Sequence, residues 1–178
     1  MITRLILAAF VCSSSYVHQG NDELIQWNSS RRLSWNDFKA IPPKNAPNAA
    51  LTSSGIFIKF SFDGHTLSYE ISCNFDKNSS WGRVKNDYIL SHEQGHFDIA
   101  EIYARKLNQA LKAYRLRENS IGKDVNAIYQ RITQELQQTQ NQYDNETDYS
   151  RNFSQQKIWL KKIERELDSL PEYVKRET

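Results

Sequence analysis

The strongest constraint in this sequence is a pair of histidines, His92 and His96, inside a long stretch with helical periodicity. Between about residues 84 and 116, apolar side chains recur every three to four positions, which predicts one amphipathic helix. Residues four apart on a helix project from the same face, so both imidazoles can bind one Zn²⁺. Glu93 follows the first histidine and is placed to act as a base toward water. The alternative is a surface helix with two unrelated histidines.

The apolar stripe of this helix contains both histidines, which places them on the side that we expect to be buried. Gly95 lies between them and costs a helix about 1 kcal/mol relative to alanine. Its missing side chain allows a substrate or another backbone to approach, and ordinary packing between helices would explain it equally well.

The first half of the chain predicts strands. Residues 56–62 and 67–75 alternate between apolar and polar side chains, and Asp63-Gly64 between them is a strong hairpin signal. Residues 25–35 predict a short strand followed by a second strand or a turn. Residues 34–38 predict a helical turn, and the prolines at 42, 43 and 47 predict an extended loop. Residues 76–83 predict a polar loop.

Two further helices are predicted in the second half, at about residues 124–143 and 154–170, with a polar break between them and Pro171 after the last. Strands followed by helices predict the α+β class. We therefore expect a small antiparallel sheet with a hairpin, followed by a zincin-like helix with the H-E-x-x-H pattern and two more helices. An edge strand beside the metal could bind an extended peptide by backbone pairing.

The N-terminus predicts an export signal, with Arg4, a short apolar stretch at residues 5–12 and three serines after it. We expect residues 1–20 to be a signal peptide and residues 21–178 to be a single domain, periplasmic or extracellular, with no membrane span after cleavage. Cys12 also allows a lipoprotein anchor, although Val11 fits such a site poorly. Cleavage would leave Cys73 alone, which excludes a disulfide framework and predicts a small buried side chain.

A catalytic zinc ion needs a third protein ligand. His65 lies at the hairpin turn, where side chains are usually exposed. Glu101 is about half a helical turn away from His92, so it cannot share that ion. Asp98 also points away and is expected in a salt bridge or behind a ligand. The remaining candidates lie in the oxygen-rich break at residues 143–150.

Residues 90–101 closely resemble domain-of-unknown-function family 922, whose members are described as secreted bacterial zinc-dependent proteases. Residues 35–39, 42–43 and 50–56 resemble the N-terminal signature of that family, and residues 143–147 with Gln156 and Trp159 its C-terminal one. The resemblance implies a histidine after the Tyr-Asp-x-x-Thr run as third ligand. Here Tyr149 stands in that place. Three alternatives follow: Tyr149 is the ligand, Glu146 or Asp148 replaces it, or the site is degraded and binds metal weakly.

The expected activity is hydrolysis of peptide bonds in a peptide or protein substrate, with Zn²⁺ as the cofactor, Glu93 as the general base, and His92, His96 and Tyr149 as metal ligands. Tyr143 and Tyr149 are candidate donors to the oxyanion. The alternative is a non-catalytic exported binding domain with a degraded or structural metal site. Lys and Arg number 23 against 21 Asp and Glu, and no basic patch favours nucleic acid.

Overall fold

The computed structural model describes residues 23–117 and 119–172, which form an α+β structure. Five strands precede three long helices, and a short 3-10 helix at Trp35–Asp37 confirms the predicted helical turn. The elements are β1 (Leu24–Gln26), β2 (Ala50–Leu51), β3 (Ser54–Phe62), β4 (Leu67–Asp76), β5 (Trp81–Gly82), α1 (Asp87–Ala113), α2 (Ile121–Thr147) and α3 (Phe153–Ser169).

The predicted hairpin is confirmed as β3 and β4, which pair antiparallel from Ser54 opposite Phe75 to Phe62 opposite Leu67. Asp63 closes the turn because its carboxylate accepts hydrogen bonds from two backbone N–H groups of the turn. β1 adds to the other edge of β4, which gives the order β1-β4-β3. The alternation has its predicted effect, since Ile71, Cys73 and Phe75 of β4 are buried against α1 while their neighbours are partly exposed.

Helix α1 lies at the centre of the molecule and packs against the sheet, α2 and α3. The side chain of Asn86 begins it by accepting a hydrogen bond from the N–H of Ile89. Sequence periodicity predicted one buried stripe, but its polar side is buried as well. Gln94 and Asp98 are only 3% and 4% exposed.

The polar side of α1 is covered by the segment after β1. The indole of Trp27 and the guanidinium of Arg32 both donate to the carboxylate of Asp98, and the backbone N–H of Leu33 donates to the side chain of Gln94. Asp98 therefore forms the predicted salt bridge, on the side of α1 away from the histidines. Because these buried polar groups have partners, burial of this face is compatible with a stable fold.

Helix α2 is longer than the sequence predicted. It runs through Thr147, so the expected polar break after residue 143 contributes another turn of helix. The helix ends where Asp148, Tyr149 and Ser150 all adopt positive φ angles of 49°, 51° and 72°. Three successive non-glycine residues in this region make a strained left-handed turn.

A second small sheet lies beside the N-terminal half of α1. It consists of β2 and β5, so the predicted polar loop at residues 76–83 contains a strand that holds β2. The hydroxyl of Thr52 donates to the backbone carbonyl of Glu93, which fixes the end of β2 against α1. Both residues of β2 and Ser54, the first residue of β3, line a cleft together with the two histidines.

The expected export signal falls outside the described residues. None of the helices within residues 23–117 and 119–172 combines the length and the apolar character that a membrane span needs.

Candidate metal centre

Three potential ligand atoms meet in the contact between α1 and α2. The Nε2 atoms of His92 and His96 are 3.2 Å apart, and the Oδ1 atom of Asp144 lies 3.2 Å from the first and 3.0 Å from the second. Within the described residues these three side chains form the group of His, Cys, Asp or Glu that is close enough to hold one metal ion. We refer to it as the His–His–Asp triangle.

The size and chemistry of this triangle fit a zinc ion. Protein ligands bind zinc at about 2.0–2.1 Å in a tetrahedral arrangement, which sets neighbouring ligand atoms about 3.3 Å apart. The three distances of 3.0–3.2 Å approach that value. Two imidazoles with one carboxylate are also a known donor set of catalytic zinc, and three protein ligands leave a fourth position open.

Asp144 and His96 shift each other's pKa values. Burial alone would raise the pKa of the Asp144 carboxyl, but hydrogen bonds from His92 and His96 outweigh it and hold this pKa far below the usual range. Burial would lower the pKa of His96, and the Asp144 hydrogen bond together with the nearby Glu93 carboxylate raises it instead. The triangle therefore attracts positive charge, either a proton or a cation.

The rings of the two histidines are held by different neighbours. His92 stacks on the buried ring of Tyr143, with centroids 4.5 Å apart and planes 21° apart. His96 is held by Gln140, whose side chain contacts both the ring Nδ1 and the backbone carbonyl of His96. The two residues on α2 thus orient the two rings, and Asp144 on the same helix faces them.

Gly95 permits this packing. A Cβ atom at residue 95 would lie only 2.5 Å from the phenol oxygen of Tyr143 and 3.0 Å from its Cζ. The phenol donates to the carbonyl of His92 at 3.3 Å and is completely buried. Of the two explanations considered for Gly95, ordinary packing between helices is therefore the one observed, and the Tyr143 phenol already has a partner in the protein.

The triangle lies at the bottom of a cleft of about 240 Å³. One wall is the β2 segment, the other is the last turns of α2, and α1 forms the floor. Glu93 and Asp144 are the acidic residues of this cleft, and no Lys or Arg lines it. The lining residues are Asn48, Ala49, Ala50, Leu51, Thr52, Ser54, His92, Glu93, His96, Gln137, Gln140, Asn141, Asp144, Tyr149 and Ser150.

Glu93 is 4% exposed, and its Oε2 atom has no hydrogen-bond partner among the described residues. A buried carboxylate oxygen normally has a partner, and Glu93 is one of the residues that line the cleft. Tyr149 lines the same cleft and remains 41% exposed. Its assignment as a metal ligand stays a prediction.

The other predicted oxygen ligands have different partners. Glu146 accepts hydrogen bonds from Trp159 and Gln142, and Asp148 forms an exposed ion pair with Arg151. His65 is exposed at the hairpin turn, as the sequence predicted.

Sequence reasoning did not single out Asp144 or Gln140. It had named the segment at 143–150 as rich in oxygen ligands, but it ended the second helix at residue 143. A helix that continues to residue 147 places Gln140 and Asp144 four apart on one face, the same spacing that identified His92 and His96. Asp144 was missed because the sequence analysis ended α2 at residue 143.

These features define an α+β protein with a His–His–Asp triangle at the base of a cleft. Residues 68–151, which include most of β4, α1, α2 and the whole triangle, match the model of a family described as bacterial protein of unknown function (DUF922). The predicted resemblance to domain-of-unknown-function family 922 is therefore confirmed over this segment. No curated protein and no solved structure matched the chain.

Proposed function

We propose that this protein is a zinc-dependent peptidase in which His92, His96 and Asp144 hold the ion. The observation that carries the proposal is the triangle of Nε2, Nε2 and Oδ1 atoms, whose sides of 3.0–3.2 Å suit three ligands of one tetrahedral zinc. The matching family has no described function, so the match does not bear on which activity the protein has.

A bound zinc ion supplies an acidified water molecule and polarises a carbonyl group. Glu93 takes a proton from the attacking water and passes it to the leaving amine; this role is supported by its place in the cleft lining beside the triangle and by its Oε2 atom, which has no hydrogen-bond partner among the described residues. A peptide substrate is supported by the shape of the site, where β2 runs along one wall and can align an extended chain.

Because Asp144 is the third ligand in this proposal, we assign Tyr149 a different role. Its exposed side chain lines the cleft at the end of α2, on a turn of fixed left-handed conformation. We assign its phenol to the donation of a hydrogen bond to the oxyanion that forms during hydrolysis. In that role Tyr149→Phe lowers the rate and leaves zinc affinity unchanged, whereas a metal-binding phenol would lower both.

The first experiment measures zinc affinity by competition with a chromophoric chelator. Asp144→Asn should weaken binding by more than the roughly 10- to 100-fold that loss of an outer-shell partner costs. Asp148→Asn is the matched control, since this exposed carboxylate pairs with Arg151 and should leave affinity unchanged. Equal affinities for wild type and Asp144→Asn would refute the ligand set.

The second experiment measures hydrolysis of fluorescently labelled, unfolded casein. Glu93→Gln should retain one equivalent of zinc and lose hydrolysis, because the amide cannot accept the proton. A rate equal to wild type would remove Glu93 from the mechanism. Removal of zinc by a chelator should stop hydrolysis, and added zinc should restore it.

A second candidate is an exported binding domain without catalysis. It is favoured by the ion pairs of Asp144 with both histidines, which close the triangle without any metal. Less than about one equivalent of zinc in freshly purified protein, together with no hydrolysis, would support this candidate. Export itself is also part of our proposal and rests on the apolar stretch at residues 5–12.

A further inference from the structure

We propose that this protein forms a symmetric dimer in which the α3 helices of two copies pack antiparallel, at a groove between α1 and α3. The groove has a volume of about 680 Å³. No residue lines both this groove and the cleft of the metal centre, so a dimer of this kind leaves the cleft lining unchanged. Dimer formation can therefore be tested separately from the proposed peptidase activity.

A row of apolar side chains runs along the groove side of α3. Phe153, the first residue of the helix, is 67% exposed and stacks on Tyr88 of α1 with ring centroids 4.1 Å apart. Leu160 and Leu167 follow at intervals of seven residues and are only partly buried. Apolar residues that recur every seven positions are typical of a helix that packs against another helix. This row is additional to the fully buried residues of α3.

Four charged side chains accompany this row. Lys157 and Lys161 lie in the first part of α3, and Glu164 and Asp168 lie in the second part. All four are exposed and line the groove, and none of them forms an ion pair within residues 23–117 and 119–172. The other two charged residues of the groove pair with each other. The groove is therefore positive toward one end of α3 and negative toward the other.

The order of these charges is self-complementary under two-fold symmetry. Both copies of a symmetric dimer use the same surface, so antiparallel helices place residues at equal distances from the axis opposite one another. With the axis between residues 162 and 163, Lys161 faces Glu164 of the second copy. In the same register, Lys157 faces Asp168 of the second copy. Each of these opposite-charge pairs occurs twice in the dimer.

The same register also brings the two apolar rows together. Leu160 lies about 3 Å along the helix axis from Leu167 of the second copy, because an α-helix rises about 1.5 Å per residue. Burial of these leucines supplies affinity, whereas exposed ion pairs add little energy and mainly fix orientation and register. A partner with charge of a single sign would meet like charges at one end of α3. A second copy of the chain meets opposite charges at both ends.

The test is analytical ultracentrifugation of the full chain at increasing protein concentration. Lys161→Glu should weaken dimer formation by at least about 10-fold, because it places like charges opposite each other twice. Addition of Glu164→Lys to the same chain should restore the dimer, since the exchange makes both contacts opposite in charge again. Lys123→Glu is the control, because it makes the same charge change at an exposed residue of α2 outside the groove. It should leave the dimer unchanged.

Three results would overturn the proposal. Interfaces of standard size bind with micromolar or tighter affinity, so a wild-type protein that is monomeric at about 100 µM would leave the groove to a different partner. A dimer that Lys161→Glu does not weaken would have its interface elsewhere. A dimer that Lys161→Glu dissociates and the added Glu164→Lys does not restore would refute the antiparallel register. Circular dichroism of each variant should match wild type, because the substituted side chains are exposed.

Discussion

Substitution of Gly95 by alanine should destabilise the protein, although the same change usually stabilises a helix. In a helix interior, alanine is favoured over glycine by about 1 kcal/mol. At this position the new Cβ would lie 2.5 Å from the Tyr143 phenol oxygen, a distance that requires something to move. The ring cannot easily move, because it is fully buried, stacks on His92 and packs against Trp159.

The magnitude follows from these two opposing effects. Overpacking of a tight core costs about 1–3 kcal/mol. After the gain in helix propensity, the net loss for Gly95→Ala is roughly 0–2 kcal/mol. At Gly122, in the first turn of α2, an added Cβ would have no neighbouring atom within 4 Å, so Gly122→Ala should gain about 0.5–1 kcal/mol. The two variants should differ by about 1–3 kcal/mol, because helix propensity largely cancels.

Urea unfolding followed by far-UV circular dichroism measures this difference from the midpoints, provided that the slopes agree. The double variant with Tyr143→Phe tests the cause, since removal of the phenol oxygen leaves Cζ at 3.0 Å as the nearest atom. Part of the loss should then disappear, as a coupling energy of at least about 0.5 kcal/mol. Stabilisation of Gly95→Ala equal to that of Gly122→Ala would refute the packing argument.

Three further predictions concern other parts of the molecule. Arg105→Met should cost about 3–5 kcal/mol in urea unfolding, because this buried guanidinium forms an ion pair within α1 and donates to two carbonyls at the end of α3; Arg131→Met, at an exposed pair, should cost less than about 1 kcal/mol. In the metal-free protein, the lowered pKa of Asp144 and the raised pKa of His96 stabilise the fold fully between the ordinary values of 3.8 and 6.5. This stabilisation is lost as pH rises through the raised pKa of His96 or falls through the lowered pKa of Asp144. The urea midpoint of Asp144→Asn should therefore depend less on pH than that of wild type, and an equal pH dependence would contradict the prediction. Burial raises the pKa of the Cys73 thiol, so peptide mapping should find thiol reagent on Cys73 only after unfolding, and rapid labelling of the folded protein would contradict its burial.

The elements that the sequence predicted best are those set by neighbours along the chain. The hairpin follows from the alternation in residues 56–75 and from Asp63-Gly64, because a strand exposes every second side chain to one face and the turn needs special backbone angles. Helix α1 follows in the same way from its period, and so does the projection of His92 and His96 from one face.

What the sequence left open depends on contacts between distant residues. The period of α1 predicted one buried face, but Trp27 and Arg32 cover the polar face by pairing with Asp98, some 70 positions away. No local pattern indicates that a charged residue has a partner elsewhere in the chain. β5 was missed for a similar reason, since two residues become a strand only when β2 lies beside them.

The sequence by itself placed His92, Glu93 and His96 on one helix. The two histidines lie on the same face of that helix because four residues make about one turn of any α-helix. Tertiary structure decided which group joins them. Asp144, Glu146 and Asp148 are alike as isolated side chains, and only the extension of α2 and its packing on α1 across Gly95 bring Asp144 within 3.0–3.2 Å of both rings. Asp144 belongs to a different helix from the two histidines, so its contact with them is non-local. Such contacts depend on how helices pack, and the short-range patterns of a sequence do not encode that packing.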